Sequence, residues 1–137
     1  MNFLSPSFSP AHVAGMGCLA LAYVGDAVYE AMVRTYLCEQ GLTTHTRLHK
    51  AAVSHVRAQA QASAAQDLQP YLTEEEQAVL LRGRNTQVAS LPKTASRSQY
   101  QWATALEVLW GHLYLSGQRQ RLCELFARIH APRDSQS

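Results

Sequence analysis

Two acidic residues stand on helical stretches whose other residues are apolar or small, and this limits what the chain can fold into more than any other feature. Asp26 lies in Leu21-Ala22-Tyr23-Val24-Gly25-Asp26-Ala27-Val28-Tyr29-Glu30, and Glu107 in Ala103-Thr104-Ala105-Leu106-Glu107-Val108-Leu109-Trp110-Gly111. By the three- and four-residue rule, Tyr100, Ala103, Trp110, Gly111 and Tyr114 share a helical face with Glu107, which places Glu107 inside the protein. A bare charge in such surroundings is costly unless a partner compensates it. Two carboxylates remote in sequence but meeting in space are what a bound divalent cation needs. Carboxylates satisfied by local hydrogen bonds or by an arginine are the alternative at this point. Gly25 and Gly111 also sit in mid-helix, where glycine costs about 1 kcal/mol relative to alanine. One directly precedes Asp26 and the other lies one turn beyond Glu107. They are expected to thin the two helices so that the backbones approach and the carboxylates converge.

Proline and glycine divide the remaining sequence into helical blocks. Residues 1–10 carry Ser-Pro twice and read as an irregular N-terminal arm. A long helix is predicted from about Cys18 to Gln40, with Gly41 as its C-cap. Thr43 or Thr44 then caps a second helix that continues to about Asp67, before Pro70 closes the segment. Thr73-Glu74-Glu75-Glu76 is a capping box, with acids where the helix dipole favours them. The helix it opens ends near Arg82-Gly83-Arg84-Asn85. Ser96 or Ser98 caps the next, which carries Glu107 and stops at Gly117. A last helix covers roughly Gln118 to His130, with Leu122, Leu125, Phe126 and Ile129 at helical spacing. No stretch alternates convincingly as a strand. The expectation is an all-α fold of about six helices, with one domain over residues 11–131 and a C-terminal tail over 132–137.

The chain has 137 residues, enough for one domain with a real core. Its 47% hydrophobic and 16% charged content excludes a disordered chain. A net charge of +2 is too small to announce nucleic-acid binding, but the distribution is uneven. No Lys or Arg precedes Arg34, after which Arg34, Arg47, Lys50, Arg57, Arg82, Arg84, Lys93 and Arg97 follow. These make a basic face or an ordinary solvated surface. Cys18, Cys38 and Cys123 are odd in number and widely spaced, which disfavours a disulfide framework or zinc–thiolate site and fits reduced thiols. The N-terminus lacks a signal peptide's basic segment. The small and apolar run Val13–Gly25 is shorter than the ~20 residues of a membrane span. The expected compartment is the cytoplasm, or the plastid stroma if a transit peptide has been removed.

Leu21-Ala22-Tyr23-Val24-Gly25-Asp26-Ala27-Val28 resembles the ribonuclease III signature, an apolar-Gly-Asp-Ala/Ser-apolar helix. Ala105-Leu106-Glu107-Val108-Leu109-Trp110-Gly111 is similar to the second catalytic helix of that family. Leu48-His49-Lys50, Val56-Arg57-Ala58-Gln59-Ala60, Arg82-Gly83-Arg84-Asn85 and Pro92-Lys93 resemble segments of its mini-ribonuclease III subfamily. The similarity spans nearly the whole chain. It implies a Mg²⁺-dependent endoribonuclease acting on double-stranded RNA, with Mn²⁺ able to substitute and with Asp26 and Glu107 as catalytic metal ligands. It further implies 5′-phosphate and 3′-hydroxyl products, a homodimer, and trimming of 23S ribosomal RNA precursor. The chain departs from the larger enzymes in three places. Ala22 stands where they have a glutamate, and Thr104 where they have an aspartate. Only residues 130–137 follow Ile129, so their C-terminal double-stranded-RNA-binding domain is not expected here.

Around that pair, Glu30 lies one turn from Asp26 and Arg34 one turn beyond, so Glu30 is either an outer-shell metal group or half of an ion pair with Arg34. Thr104 is a second outer-shell candidate. Duplex RNA is gripped through phosphates and 2′-hydroxyls. Lys50, Arg57, Arg82, Arg84, Asn85, Lys93 and Arg97 are the candidates for that contact. Arg82-Gly83-Arg84-Asn85 suits it with two guanidiniums, a flexible glycine and an amide at a helix end. Tyr23 and Val24 are candidates for a dimer interface or for core packing. His45 and His49 are spaced to bind zinc but lack an evident third ligand, which favours a surface or capping role. Trp102 and Trp110 either stack on bases or belong to the core. The rival function is an inert ribonuclease III-like module that binds structured RNA or ribosomal components. A helical interaction protein with no RNA role leaves the basic segments unexplained.

Overall fold

The computed structural model describes residues 1–86 and 96–130, with only the backbone of residues 54–56. Among these residues there are seven α-helices, one 3₁₀ turn and no strand. The helices are α1 (Pro10–Ala14), α2 (Cys18–Glu39), α3 (His45–Val56), α4 (Ala58–Leu68), α5 (Glu74–Arg84), α6 (Arg97–Leu115) and α7 (Arg119–His130), with the 3₁₀ turn at Gln69–Tyr71. The centre of the fold is α6. Its residues 103–106, 108–111, 113 and 115 are buried, and α2, α4, α5 and α7 pack around it.

Most helix ends follow from local chemistry. At α5 the Thr73 hydroxyl accepts from the Glu76 amide at 3.1 Å, and the Glu76 carboxylate accepts from the Thr73 amide at 2.9 Å. At α6 Ser96, not Ser98, makes the equivalent reciprocal pair with Gln99. Gly41 and Gly117 take φ of 91° and 76°, the left-handed region that lets a chain leave a helix without a Cβ clash. Ahead of the long helix the structure adds a short one over residues 10–14, capped by Ser9, so that only Pro10 of the expected arm is helical. One expectation needs correction. The predicted helix from Thr43 or Thr44 to Asp67 is two helices, broken at Arg57, whose ψ of 149° is extended. Neither glycine nor proline marks that break. It has a tertiary cause: α3 packs on α2 while α4 packs on α6, which one straight helix cannot do.

The buried face of α2 is the stripe Leu21, Gly25, Tyr29, Val33 and Leu37, each four residues from the last. Tyr29 stacks on Trp110 of α6 with ring centroids 5.7 Å apart. Its hydroxyl lies 3.0 Å from His130 Nε2, tying the end of α7 to α2. A bidentate ion pair locks α7 to the start of α5: Arg121 donates to both oxygens of buried Glu76 at 2.8 Å and to the Tyr71 carbonyl at 2.7 Å.

Candidate active site

The site is built where α2 crosses α6, and two glycines permit the crossing. A Cβ on Gly25 would penetrate the Glu107 carbonyl and lie 2.8 Å from the Gly111 nitrogen. A Cβ on Gly111 would penetrate the Leu21 carbonyl and lie 3.2 Å from the Gly25 nitrogen. The two backbones are therefore in contact, as the mid-helix glycines predict. Asp26 follows Gly25 directly and Glu107 precedes Gly111 by one turn, so the crossing delivers both carboxylates to one place.

Their side chains share a hydrogen bond, which a carboxyl pair can make only when one member holds a proton. The Glu107 carboxyl is pushed up to about 8, first by burial, then by the Asp26 charge and the hydrogen bond to it. A hydrogen bond from Gln61 works in the opposite direction. Glu107 is half-buried, as its apolar face requires. Asp26, however, is exposed, contrary to the buried setting its neighbours suggest. It lies about 100° around α2 from the buried Gly25 stripe, and so on the flank of the helix. One carboxylate thus opens to solvent and the other closes the floor.

No ion pair to Asp26 or Glu107 occurs among the described residues, so no arginine or lysine neutralises the pair there. Once the shared proton is given up, the pair offers two acceptor-only carboxylates, which match the ligand chemistry of a hard divalent cation. No cluster of three or more His, Cys, Asp or Glu side chains suited to a metal occurs among the described residues, which leaves the donor set at these two.

The flanking candidates divide. Glu30 is engaged by Arg34 at 2.6 Å, the ion-pair alternative. Thr104 is buried one turn before Glu107. Arg82 donates to Cys18 Sγ at 3.3 Å and the Met16 carbonyl at 3.4 Å, at the start of α2. Arg84 lies over the Trp102 ring, 4.9 Å from its centroid. Asn85 caps α5 and is exposed, as are Lys50 on α3, Arg57 at the α3–α4 break and Arg97 at the start of α6. Lys93 lies outside the described residues. Gly83 is not a flexible element. It is buried inside α5, and a Cβ there would lie 2.9 Å from Ala105 Cα and Val108 Cβ, so its role is close packing of α5 on α6. Trp110 belongs to the core, whereas Tyr23 is 83% exposed. His45 and His49 stack on each other at 6.4 Å on exposed α3.

Residues 19–118 match the family model of the ribonuclease III domain. The chain belongs to the ribonuclease III family of endoribonucleases. Within that family it is 48% identical over 107 residues to the Mini-ribonuclease 3 of Symbiobacterium thermophilum, covering 78% of this chain and 82% of the relative. It is 41% identical over 128 residues to the Mini-ribonuclease 3 of Clostridium tetani, covering 93% and 85%. A crystal structure of a Fusobacterium nucleatum protein superposes with a TM-score of 0.75 at 26% identity, covering 82% of this chain and 90% of that one. The all-helical fold agrees with that family. No helix among the described residues is long and apolar enough to cross a membrane.

Gln61 is the site residue that sequence reasoning missed. It falls on the α4 stripe Gln61–Ala65–Leu68, otherwise apolar and fully buried, where an amide is as conspicuous as Glu107 is on α6. That periodicity was the available signal. Gln59 and Gln66, both exposed in the same alanine-rich stretch, obscured it.

Proposed function

We propose that this ribonuclease III-family chain is a Mg²⁺-dependent endonuclease that hydrolyses phosphodiester bonds in double-stranded RNA, with Asp26 and Glu107 as its catalytic metal ligands. The observation that carries this reading is the contact of two carboxylates, enforced by backbone contact at Gly25 and Gly111 and left without a cationic side chain among the described residues. A fold gains nothing in stability from such a pair. Bringing a cation to a phosphate gives it a purpose.

Mg²⁺, when bound, supplies Lewis-acid polarisation of a phosphoryl oxygen and lowers the pKa of water; Mn²⁺ has similar ligand preferences. The chain's own residues hold and orient it. Glu107 fixes the floor of the site, and Asp26 faces the solvent from which RNA arrives. Thr104, one turn before Glu107, is positioned as an outer-shell group; Glu30 serves that role only if it leaves Arg34. In the reaction, water oxygen bonds to phosphorus and the bond to the 3′ oxygen breaks. That oxygen takes up a proton, leaving 5′-phosphate and 3′-hydroxyl ends.

Lys50, Arg57, Arg82, Arg84, Asn85, Lys93 and Arg97 would grip the phosphates. Duplex RNA is recognised mainly by shape and backbone, so charge suffices where base-reading groups are lacking. One small domain makes few such contacts. A homodimer doubles them and presents one site to each strand, with exposed Tyr23 beside Asp26 suited to the contact between copies. Precursor of 23S ribosomal RNA in the cytoplasm is the substrate proposed, as the resemblance to mini-ribonuclease III implies.

The test compares long double-stranded RNA, single-stranded RNA of the same sequence, and a 23S precursor transcript, each with Mg²⁺ and with EDTA. Metal-dependent cutting of the duplex and the precursor, with 5′-phosphate ends, supports the reading. Equal cutting of single strands, or cutting in EDTA, overturns it.

A further inference from the structure

Gln61 is a buried polar group that the reaction as described so far does not use. It is 3% exposed on α4, in a stripe completed by Ala65 and Leu68 and flanked by Ala62 and Ala64, all buried. A primary amide in such surroundings costs free energy unless its polar atoms are hydrogen-bonded, and a leucine there would pack without that cost. Of the other buried polar side chains among the described residues, Glu76 answers Arg121, and Thr104 belongs to α6 itself. Gln61 instead projects from α4 against α6, where its side chain hydrogen-bonds to Glu107. That hydrogen bond works to lower the Glu107 carboxyl and so favours its ionised form, which makes the Gln61 amide N–H the donor.

Glu107 is therefore held from two sides, by Asp26 of α2 and by Gln61 of α4. An arginine or lysine in place of Gln61 would pair with Glu107 and compete with a cation for its charge. A leucine would leave the carboxylate free to rotate. An amide fixes its orientation and leaves its charge available. We propose that Gln61 is a positioning residue, its side-chain amide holding the Glu107 carboxylate in the orientation from which it and Asp26 take up the divalent cation. The inference rests on the reading of Asp26 and Glu107 as metal ligands. Outer-shell partners of this kind change metal affinity by roughly 10- to 100-fold when removed.

The experiment measures Mn²⁺ binding to the full chain without RNA, by the electron paramagnetic resonance signal of free Mn²⁺. It uses the wild type, Asp26→Asn, Gln61→Leu and Gln61→Met; the last keeps the length of the glutamine without its N–H and stands in if the leucine variant folds poorly. Circular dichroism verifies the fold, and RNA affinity in EDTA verifies the rest of the surface. Mn²⁺ binding that is lost in Asp26→Asn and weakened roughly 10- to 100-fold in both Gln61 variants is the expected result. The Mg²⁺ concentration for half-maximal cleavage should rise by the same factor, with RNA affinity in EDTA unchanged. Wild-type Mn²⁺ affinity in folded Gln61 variants, alongside loss in Asp26→Asn, overturns the role of Gln61 and leaves the metal site standing. Mn²⁺ binding that Asp26→Asn does not disturb, or none in the wild type, overturns the metal site and the Gln61 role with it.

Discussion

Replacing Glu107 by glutamine should stabilise the metal-free protein, and increasingly so as pH rises above 4.5. Its carboxyl is raised in the folded state from an ordinary 4.5 to about 8, chiefly by burial. Below pH 4.5 the group is protonated in both states. Between 4.5 and 8 the unfolded chain releases the proton and the folded chain keeps it, so stability falls as pH rises and levels off above about 8. At about 1.36 kcal/mol per pH unit the whole shift corresponds to on the order of 4–5 kcal/mol, and relaxation beside the solvent-exposed Asp26 reduces this to roughly 2 kcal/mol. Glutamine has nearly the same shape and no charge to bury. Urea denaturation in EDTA, followed by tryptophan fluorescence, measures the effect. Near pH 4 the variant and wild type should unfold at about the same urea concentration, and near pH 9 the variant should be more stable by roughly 2 kcal/mol, or a Tm higher by roughly 5–8 °C. Millimolar Mg²⁺ should close that gap by stabilising the wild type alone, by about 2.7 kcal/mol at a hundredfold excess over Kd. A variant less stable than wild type at both pH values, or a gap that does not widen with pH, refutes the account of Glu107 as an uncompensated charge.

Gly25→Ala or Gly111→Ala should cost more than about 3 kcal/mol or prevent folding, because each added Cβ drives into the backbone of the opposing helix. Gly17→Ser, where a Cβ meets nothing within 4 Å, should instead add a few tenths of a kcal/mol by capping α2, which has no side-chain cap; denaturation midpoints separate these cases. Arg121→Ala should destabilise by about 3–5 kcal/mol, since it strands Glu76 in a buried site. The Arg121 hydrogen bond holds the Glu76 carboxyl below its ordinary 4.5, so its contribution is full above that pH and lost as pH falls below it. Acid titration of the variant's stability should lack that component. Arg82→Ala combined with Arg84→Ala should weaken duplex RNA binding and reduce the slope of log affinity against log salt by about two, and an unchanged slope would remove both residues from the interface.

The helical periodicity that singles out Glu107 and the mid-helix glycines is arithmetic along one helix, so the sequence exposes the crossing of α2 and α6 directly. Both capping boxes and the Gly41 and Gly117 exits are local for the same reason. What escaped the sequence is set between helices. The break at Arg57 exists because α3 and α4 have different partners, and no residue at the break announces it. Gly83 reads as a loosening residue in Arg-Gly-Arg-Asn, yet it is where α5 presses on Ala105 and Val108. Asp26 reads as buried from its neighbours, and only the position of α6 against the Gly25 stripe places it at the surface. Gln61 is legible once the α4 stripe is known, but the stripe depends on the break that begins α4.

The most direct test of the central claim is cleavage of long double-stranded RNA in millimolar Mg²⁺ by the wild type, Asp26→Asn and Glu107→Gln, with RNA affinity measured for each in EDTA. The account predicts cutting by the wild type alone, with folded variants that bind RNA as tightly as it does. Cutting at the wild-type rate by either folded variant would contradict it, and would make the convergence of the two carboxylates a structural matter.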